Sequence, residues 1–222
     1  MVEPTPVDET TQALGELRAQ ALTCIRCRLA EGRRQVVFGE GHPHARIMLI
    51  GQGPSESDDR SGHPYSGPSG PVLDKALAAA GLRREDIWLT NITKCLALAG
   101  GGGPRRIREP KADEVRACRI WLDQEIALVQ PKVIVCIGGP AAKALIAPRF
   151  RLMEQHGQVF PGPNGIPTLA VVQPALVLRL KRYSTDYLQE SRKLEHDRPA
   201  AVRAWNALIA DLRRAAGLAS SP

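Results

Sequence analysis

Four cysteines stand in an order that chemistry can use: Cys24 and Cys27 as a C-x-x-C pair, then Cys95, then Cys118. A C-x-x-C pair puts two thiolates within reach of one metal centre. Alone it is open to redox, zinc and iron–sulfur readings. The redox reading expects the pair after a strand in a βαβ unit, whereas this one follows a helical pattern near the amino terminus. Zinc sites more often use two short pairs. One close pair with two dispersed cysteines suits a four-cysteine iron–sulfur cluster better, with zinc as the alternative. The fifth cysteine, Cys136, lies within Val133-Ile-Val-Cys-Ile137 and reads as a core residue.

A second set of polar residues collects where strands end. The stretch after Ile50 is a long Gly/Pro-rich loop that carries Gln52, Ser55, Glu56, Asp58, Asp59 and Tyr65. It is too polar and too long for a mere connection. Asn91 closes a second apolar run, where an open sheet presents side chains to a ligand; a strand-end cap is the competing reading. Four consecutive glycines, Gly100 to Gly103, cannot hold a regular element, and Arg105, Arg106 and Arg108 follow at once. A mobile arm with three guanidiniums suits phosphates, against the alternative of a solvated basic loop. His42 and His44 flank a proline and read as exposed loop residues.

The elements that must position these groups follow from periodicity. Ile47–Ile50, Ile87–Ile92, Val133–Ile137 and Thr168–Val172 are short apolar runs read as core strands. Helical patterns span about Gln12–Arg28, the run Val72, Leu73, Ala76, Leu77 and Ala80, the stretch from Pro110 through Ile126, and Arg198–Ala216. A strand, a Gly/Pro-rich loop and a helix build a ligand crevice at the strand's carboxyl end in open α/β sheets. Residues 1–12 read as a disordered terminus, 13–216 as one domain, and 217–222 as a tail. The length, 222 residues, suits one domain with a full core. No 18-residue apolar window occurs, and MVEPTPVDETTQ lacks a signal-peptide core. The net charge of +7 makes a polyanion a candidate partner, while an aromatic content of 4% argues against a platform of several stacking rings. Five cysteines without a secretory signal point to a reducing, cytoplasmic setting.

The stretch GQGPSESDDRSGHPYSGPSGPVLD, residues 51–74, resembles the first motif of the iron–sulfur uracil-DNA glycosylases, G-E-x-P-G, acidic residues, then G-x-P-F-x-G-x-x-G-x-x-L. Asn91-Ile-Thr-Lys-Cys95 is similar to their N-x-x-K-C pattern, and Gln173-Pro-Ala-Leu-Val-Leu-Arg179 stands where they read H-P-S-x-x-L-R. Arg105-Arg106-Ile107-Arg108 looks like the R-R-I-H run of the X-type branch. The resemblance spans roughly residues 20–215 and rests on four motifs in order.

That resemblance implies a three-layer αβα domain around a central, mostly parallel four-stranded sheet. It implies a monofunctional DNA repair glycosylase that flips uracil or a related deaminated base out of DNA and leaves an abasic site. A structural [4Fe–4S] cluster would sit on Cys24, Cys27, Cys95 and Cys118. Gly51, Gln52, Gly53, Tyr65, Asn91 and Gln173 would hold uracil, with Tyr65 stacking on the ring and Asn91 reading its polar edge. Arg105, Arg106, Arg108 and Arg179 would meet DNA. The departures are Gln52 for the family's glutamate, which leaves Asp58 as the best remaining carboxylate, and Gln173 for its histidine. The implied catalytic set is thus Gln52, Asp58, Asn91 and Gln173. Arg108 replaces a histidine that becomes covalently attached in the X-type branch; a guanidinium stays protonated and is a poor nucleophile, so no covalent trapping is expected. The partner implied is DNA containing uracil or abasic sites, with no membrane and with a monomer sufficing. The alternative is a non-catalytic protein that binds uracil or abasic DNA.

Overall fold

A computed structural model of the chain describes residues 8–99, 106–181 and 199–221. Gly100–Gly103 and Arg105 of the expected arm lie outside the described residues.

The core is a sheet of six strands: β1 (Glu40–Gly41), β2 (Ile47–Gly51), β3 (Trp88–Asn91), β4 (Val133–Ile137), β5 (Val159–Pro161) and β6 (Pro167–Val171). Their spatial order is β1-β3-β2-β4-β6-β5. The four central strands are parallel, and β1 and β5 pair antiparallel at the edges. The four parallel strands are those expected from the apolar runs. The two edge strands were not expected. They are two and three residues long, too short to leave a period in the sequence, and main-chain pairing alone defines them.

Strands β2 and β4 are buried along their whole length, because helices cover both faces. That is why they read as continuous apolar runs rather than alternating ones. Met48, Ile50, Ile134 and Cys136 point into one core, with Leu14, Leu17, Trp121, Leu122 and Ile126. Ile47, Leu49, Val133 and Val135 point into the other, with Leu73, Leu77, Leu208 and Leu212. The first layer holds α1 (Glu9–Leu22) and α5 (Ala112–Val129); the opposite layer holds α4 (Gly70–Ala79), α8 (Pro174–Lys181) and α9 (Pro199–Ser220). Short helices α2 (Leu29–Gly32), α3 (Glu56–Ser61), α6 (Gly139–Leu145) and α7 (Leu152–Gln155) lie between these elements. Cys136 is a fully buried core residue, as its apolar neighbours suggested. Among the described residues no helix is long and apolar enough to cross a membrane.

Three boundaries differ from expectation. Helix α1 starts at Glu9, because Asp8 caps it: Thr11 N–H donates to Asp8 Oδ1 at 3.1 Å and Thr11 Oγ1 to Oδ2 at 2.6 Å. These bonds hold the Asp8 carboxyl down to about 2. The helix ends at Leu22 rather than Arg28, so the C-x-x-C pair occupies the turn beyond it. The last turn tightens through bonds from the Thr23 and Cys24 N–H groups to the carbonyls of Gln20 and Ala21. Helix α9 runs on to Ser220, into the residues read as a tail.

Candidate active site and sulfur site

The carboxyl ends of β2 and β3 lie side by side, with Gly51 opposite Asn91. Beyond the strands the ladder continues: Ile92 N–H donates to Gly51 O at 2.9 Å and Thr93 N–H to Gln52 O at 3.3 Å. Just beyond these ends, Gln52, Gly53 and Thr93 form one wall of a cavity of about 210 Å³. The cavity is lined by Gln52, Gly53, Asp58, Tyr65, Arg108 and Gln173, among others. It is smaller than the roughly 300–1,000 Å³ of sites for drug-sized ligands and suits a single flat heterocycle.

Glycine at position 51 is a steric requirement. A Cβ there would lie 2.4 Å from Asn91 Oδ1 and 2.6 Å from the Tyr65 hydroxyl. Asn91 Oδ1 and the Tyr65 hydroxyl therefore both crowd the open side of Gly51. Asn91 is buried, and its Nδ2 has no hydrogen-bond partner. Among the described residues only one other buried side-chain polar atom, Trp88 Nε1, shares that condition. Tyr65 adopts a φ of 56°, which a non-glycine residue holds only when its surroundings enforce it. Both flanks are clamped: Arg84 Nη2 donates to Pro64 O at 2.7 Å, and Ser66 N–H and Oγ donate to Asp58 Oδ1 at 2.7 and 2.9 Å. Burial, and then the Asp58 charge, push the Tyr65 phenol up, so it stays neutral.

Asp58 is itself largely committed. Its Oδ2 accepts the Ser55 N–H at 2.8 Å while Ser55 Oγ accepts the Asp58 N–H at 3.2 Å, a capping box that starts α3. An ionised carboxylate has about four acceptor sites; three bonds are spent on shaping the loop. Gln173, after β6, folds over the end of β4. Gly138, with φ of 90°, leaves it room: a Cβ there would lie 2.4 Å from Gln173 Nε2. The structure thus brings Gly51, Gln52, Gly53, Asp58, Tyr65, Asn91 and Gln173 to one place. Arg179 lies exposed further along α8.

The described end of the arm pairs antiparallel with the segment before it. Leu98 pairs with Ile107, Ala99 N–H donates to Arg106 O, and Arg108 N–H to Ala97 O. Arg106 is exposed, whereas Arg108 is braced. Its guanidinium donates to Glu114 at 2.6 and 2.7 Å, to Leu98 O at 2.9 Å and to Glu109 O at 3.0 Å. Instead of reaching outward as expected of the arm, Arg108 fastens it to the start of α5, and its hydrogen bonds hold the Glu114 carboxyl below the usual range. Arg28, Arg108 and Lys111 line a groove of about 660 Å³ beside this pairing. Arg28 and Lys111 were not singled out in the sequence, where each looks like an ordinary surface cation. Ile107 was passed over too, although an exposed isoleucine between arginines, here 54% exposed at the cavity mouth, marks a surface that expects contact.

The four cysteines line one small cavity with Ala21, Arg33, Lys94 and Trp121. Three sulfurs receive N–H donors: Trp121 Nε1 to Cys24 at 3.3 Å, Lys94 N to Cys118 at 3.2 Å, and Arg33 Nη1 to Cys95 at 3.4 Å. Burial pushes the Cys95 thiol up to about 12 and Cys118 to about 11. Among the described residues no three His, Cys, Asp or Glu side chains are arranged to hold a single metal ion.

Fold and site define a three-layer α/β protein with a base-sized cavity at the carboxyl edge of its parallel sheet and a four-cysteine site on the neighbouring layer. Residues 38–207 match the uracil DNA glycosylase superfamily, and the chain belongs to it. It is similar to the type-4 uracil-DNA glycosylase of Pyrobaculum aerophilum, 35% identical over 66% of this chain and 71% of that one. The type-4 enzyme of Archaeoglobus fulgidus is 28% identical over 82% and 92% of the two chains. That of Sulfurisphaera tokodaii is 33% identical, and there the match spans 61% of this chain and 59% of the relative.

Proposed function

We propose that this chain is a monofunctional uracil-DNA glycosylase that acts in DNA repair, taking uracil out of the helix and hydrolysing its N-glycosidic bond. The observation that carries the reading is the buried Asn91 amide, whose Nδ2 has no partner among the described residues. A carboxamide offers an acceptor beside donors, and the imide edge of uracil offers the reverse, a donor flanked by two carbonyls. Cytosine carries an amino group on that edge and leaves the amide mispaired. Tyr65, held in its strained conformation by Asp58 and Arg84, supplies the stacking face. Gln173 donates to the departing base from across the cavity, and Gln52 and Gly53 close the near side. Asp58 is the nearest carboxylate to orient water, with one acceptor position beyond its three loop bonds. Release of free uracil from uracil-containing DNA, with none of cytosine or thymine from matched strands, tests the assignment. Retained uracil affinity without release would make the chain a lesion-binding protein.

DNA contact falls to Arg106, Arg105, Arg179 and the groove of Arg28 and Lys111. Replacing Arg106 by alanine is expected to lower the slope of log affinity against log salt by about 0.9 on duplex DNA. An unchanged slope in a salt titration would remove this residue from the interface. A single amide donates more weakly than a charged group, so Gln173→His is expected to raise the excision rate, read in single-turnover assays. A fall would mean that the site is built around the amide.

The sulfur site fits a [4Fe–4S] cluster on Cys24, Cys27, Cys95 and Cys118. Four thiols surround one cavity with N–H groups aimed at three of them. Zinc sites more often use two short cysteine pairs, whereas one close pair with two dispersed cysteines suits a cluster that gives each thiolate its own iron. The bound group supplies a structural staple between the turn after α1, the segment after β3, and α5. Iron and sulfide content with visible absorbance is the expected analysis; a colourless zinc protein would overturn this assignment.

A further inference from the structure

We infer that Lys94 and Glu125 form a positioning pair that sets the aim of Asn91; the inference rests on the uracil-reading role given to Asn91 above. Asn91 Nδ2 has no partner among the described residues, so no hydrogen bond they offer fixes that amide from its donor side. Its direction is set by packing and by the backbone from which it projects. That backbone is gripped from behind. Lys94 Nζ donates to Asn91 O at 3.0 Å and to Thr90 Oγ1 and Glu125 Oε2, each at 2.5 Å. Thr90 Oγ1 in turn donates to Glu125 Oε2 at 2.9 Å. Glu125 Oε1 accepts the Gly39 N–H at 3.0 Å. Lys94 and Glu125 are 1% and 0% exposed, and neither lines the base cavity. The Lys94 ammonium spends its three donors on Thr90, Asn91 and Glu125 and has none free for chemistry.

A buried ion pair is weak evidence for stability, since apolar replacements of similar volume are often neutral. What this pair adds is geometry. All three Nζ bonds converge on the last two residues of β3 and on α5, and the Lys94 main chain joins Val37 N–H to its carbonyl and Cys118 Sγ to its N–H. The end of β3 is thereby fixed against α5 and the sulfur site together.

The test compares native protein with the double variant Lys94→Met/Glu125→Leu and the single variant Thr90→Val. The readouts are the ratio of affinities for uracil- and thymine-containing single strands of matched sequence, kcat and KM for excision, and visible absorbance. The double variant is expected to keep its absorbance and thymine-strand affinity, while KM rises in step with its weakened uracil affinity. Its kcat is expected to fall about a hundredfold, the scale of an ångström-sized misplacement, and its uracil preference about tenfold. Preference and kcat within about twofold of native, in folded protein, would reduce the pair to scaffolding and overturn the inference. Should the double variant not fold, Thr90→Val decides: it removes one hydroxyl from the network, and unchanged uracil preference overturns the inference equally. Native protein that shows no uracil preference sinks the functional reading itself, a different result from native preference that survives loss of the pair.

Discussion

Asn91→Ala is expected to lower uracil excision by about a hundred- to a thousandfold, the usual cost of removing one preorganised donor from a site where charge develops. Asn91 lies behind Gly51, out of reach of the surface arginines, and phosphate contacts position DNA without reading bases. Affinity for undamaged DNA and its salt dependence are therefore expected to stay at native values. Asn91→Asp sharpens the result. It keeps the shape and one acceptor but loses the Nδ2 donor, so it should behave like alanine. Single-turnover rates beside a DNA titration check both variants. Native rates in either would remove Asn91 from the site.

The largest expected effect on stability is at Lys94. Lys94→Met strands the Glu125 carboxylate at zero exposure, with Thr90 and the Gly39 N–H as its remaining partners. Breaking one side of a buried pair costs about 3–5 kcal/mol. At about 2–4 °C per kcal/mol for a domain of this size, that is a fall of about 6–20 °C in Tm. Adding Glu125→Leu should restore most of it, because removing both charges leaves no unpaired ion. A thermal melt of the single and double variants measures this directly. A single variant as stable as native would mean that Glu125 is neutralised or hydrated in place.

The parallel sheet was legible because its strands are buried on both faces and so write uninterrupted apolar runs. Gly51 and Asn91 were legible for a related reason: a ligand crevice lies where such runs stop, and the residue types change there. The four cysteines could be grouped by their spacing, and the structure gathers them around one cavity. What the sequence hid depends on partners distant along the chain. Glu125 lies 31 residues from Lys94; its only local trace is a charge within the buried stripe Cys118, Trp121, Leu122, Ile126 of α5. Arg108 has the sequence of a DNA-contacting arm, and only the fold reveals that Glu114 holds its guanidinium. Asp58 lies in the segment where a catalytic carboxylate is expected, yet two serines claim most of its lone pairs. In each case local composition indicated a charged group, and tertiary pairing decided what that charge does.

The most direct measurement is a single-turnover reaction of native protein in excess over a labelled oligonucleotide carrying one uracil, analysed for free base, for strand breaks before and after alkali, and for protein bound to DNA under denaturing conditions. Free uracil, breaks only after alkali, and DNA that migrates without protein are the predicted result for a hydrolytic glycosylase with arginine at position 108. An oligonucleotide that keeps its uracil, or one that stays joined to protein after denaturation, would contradict it.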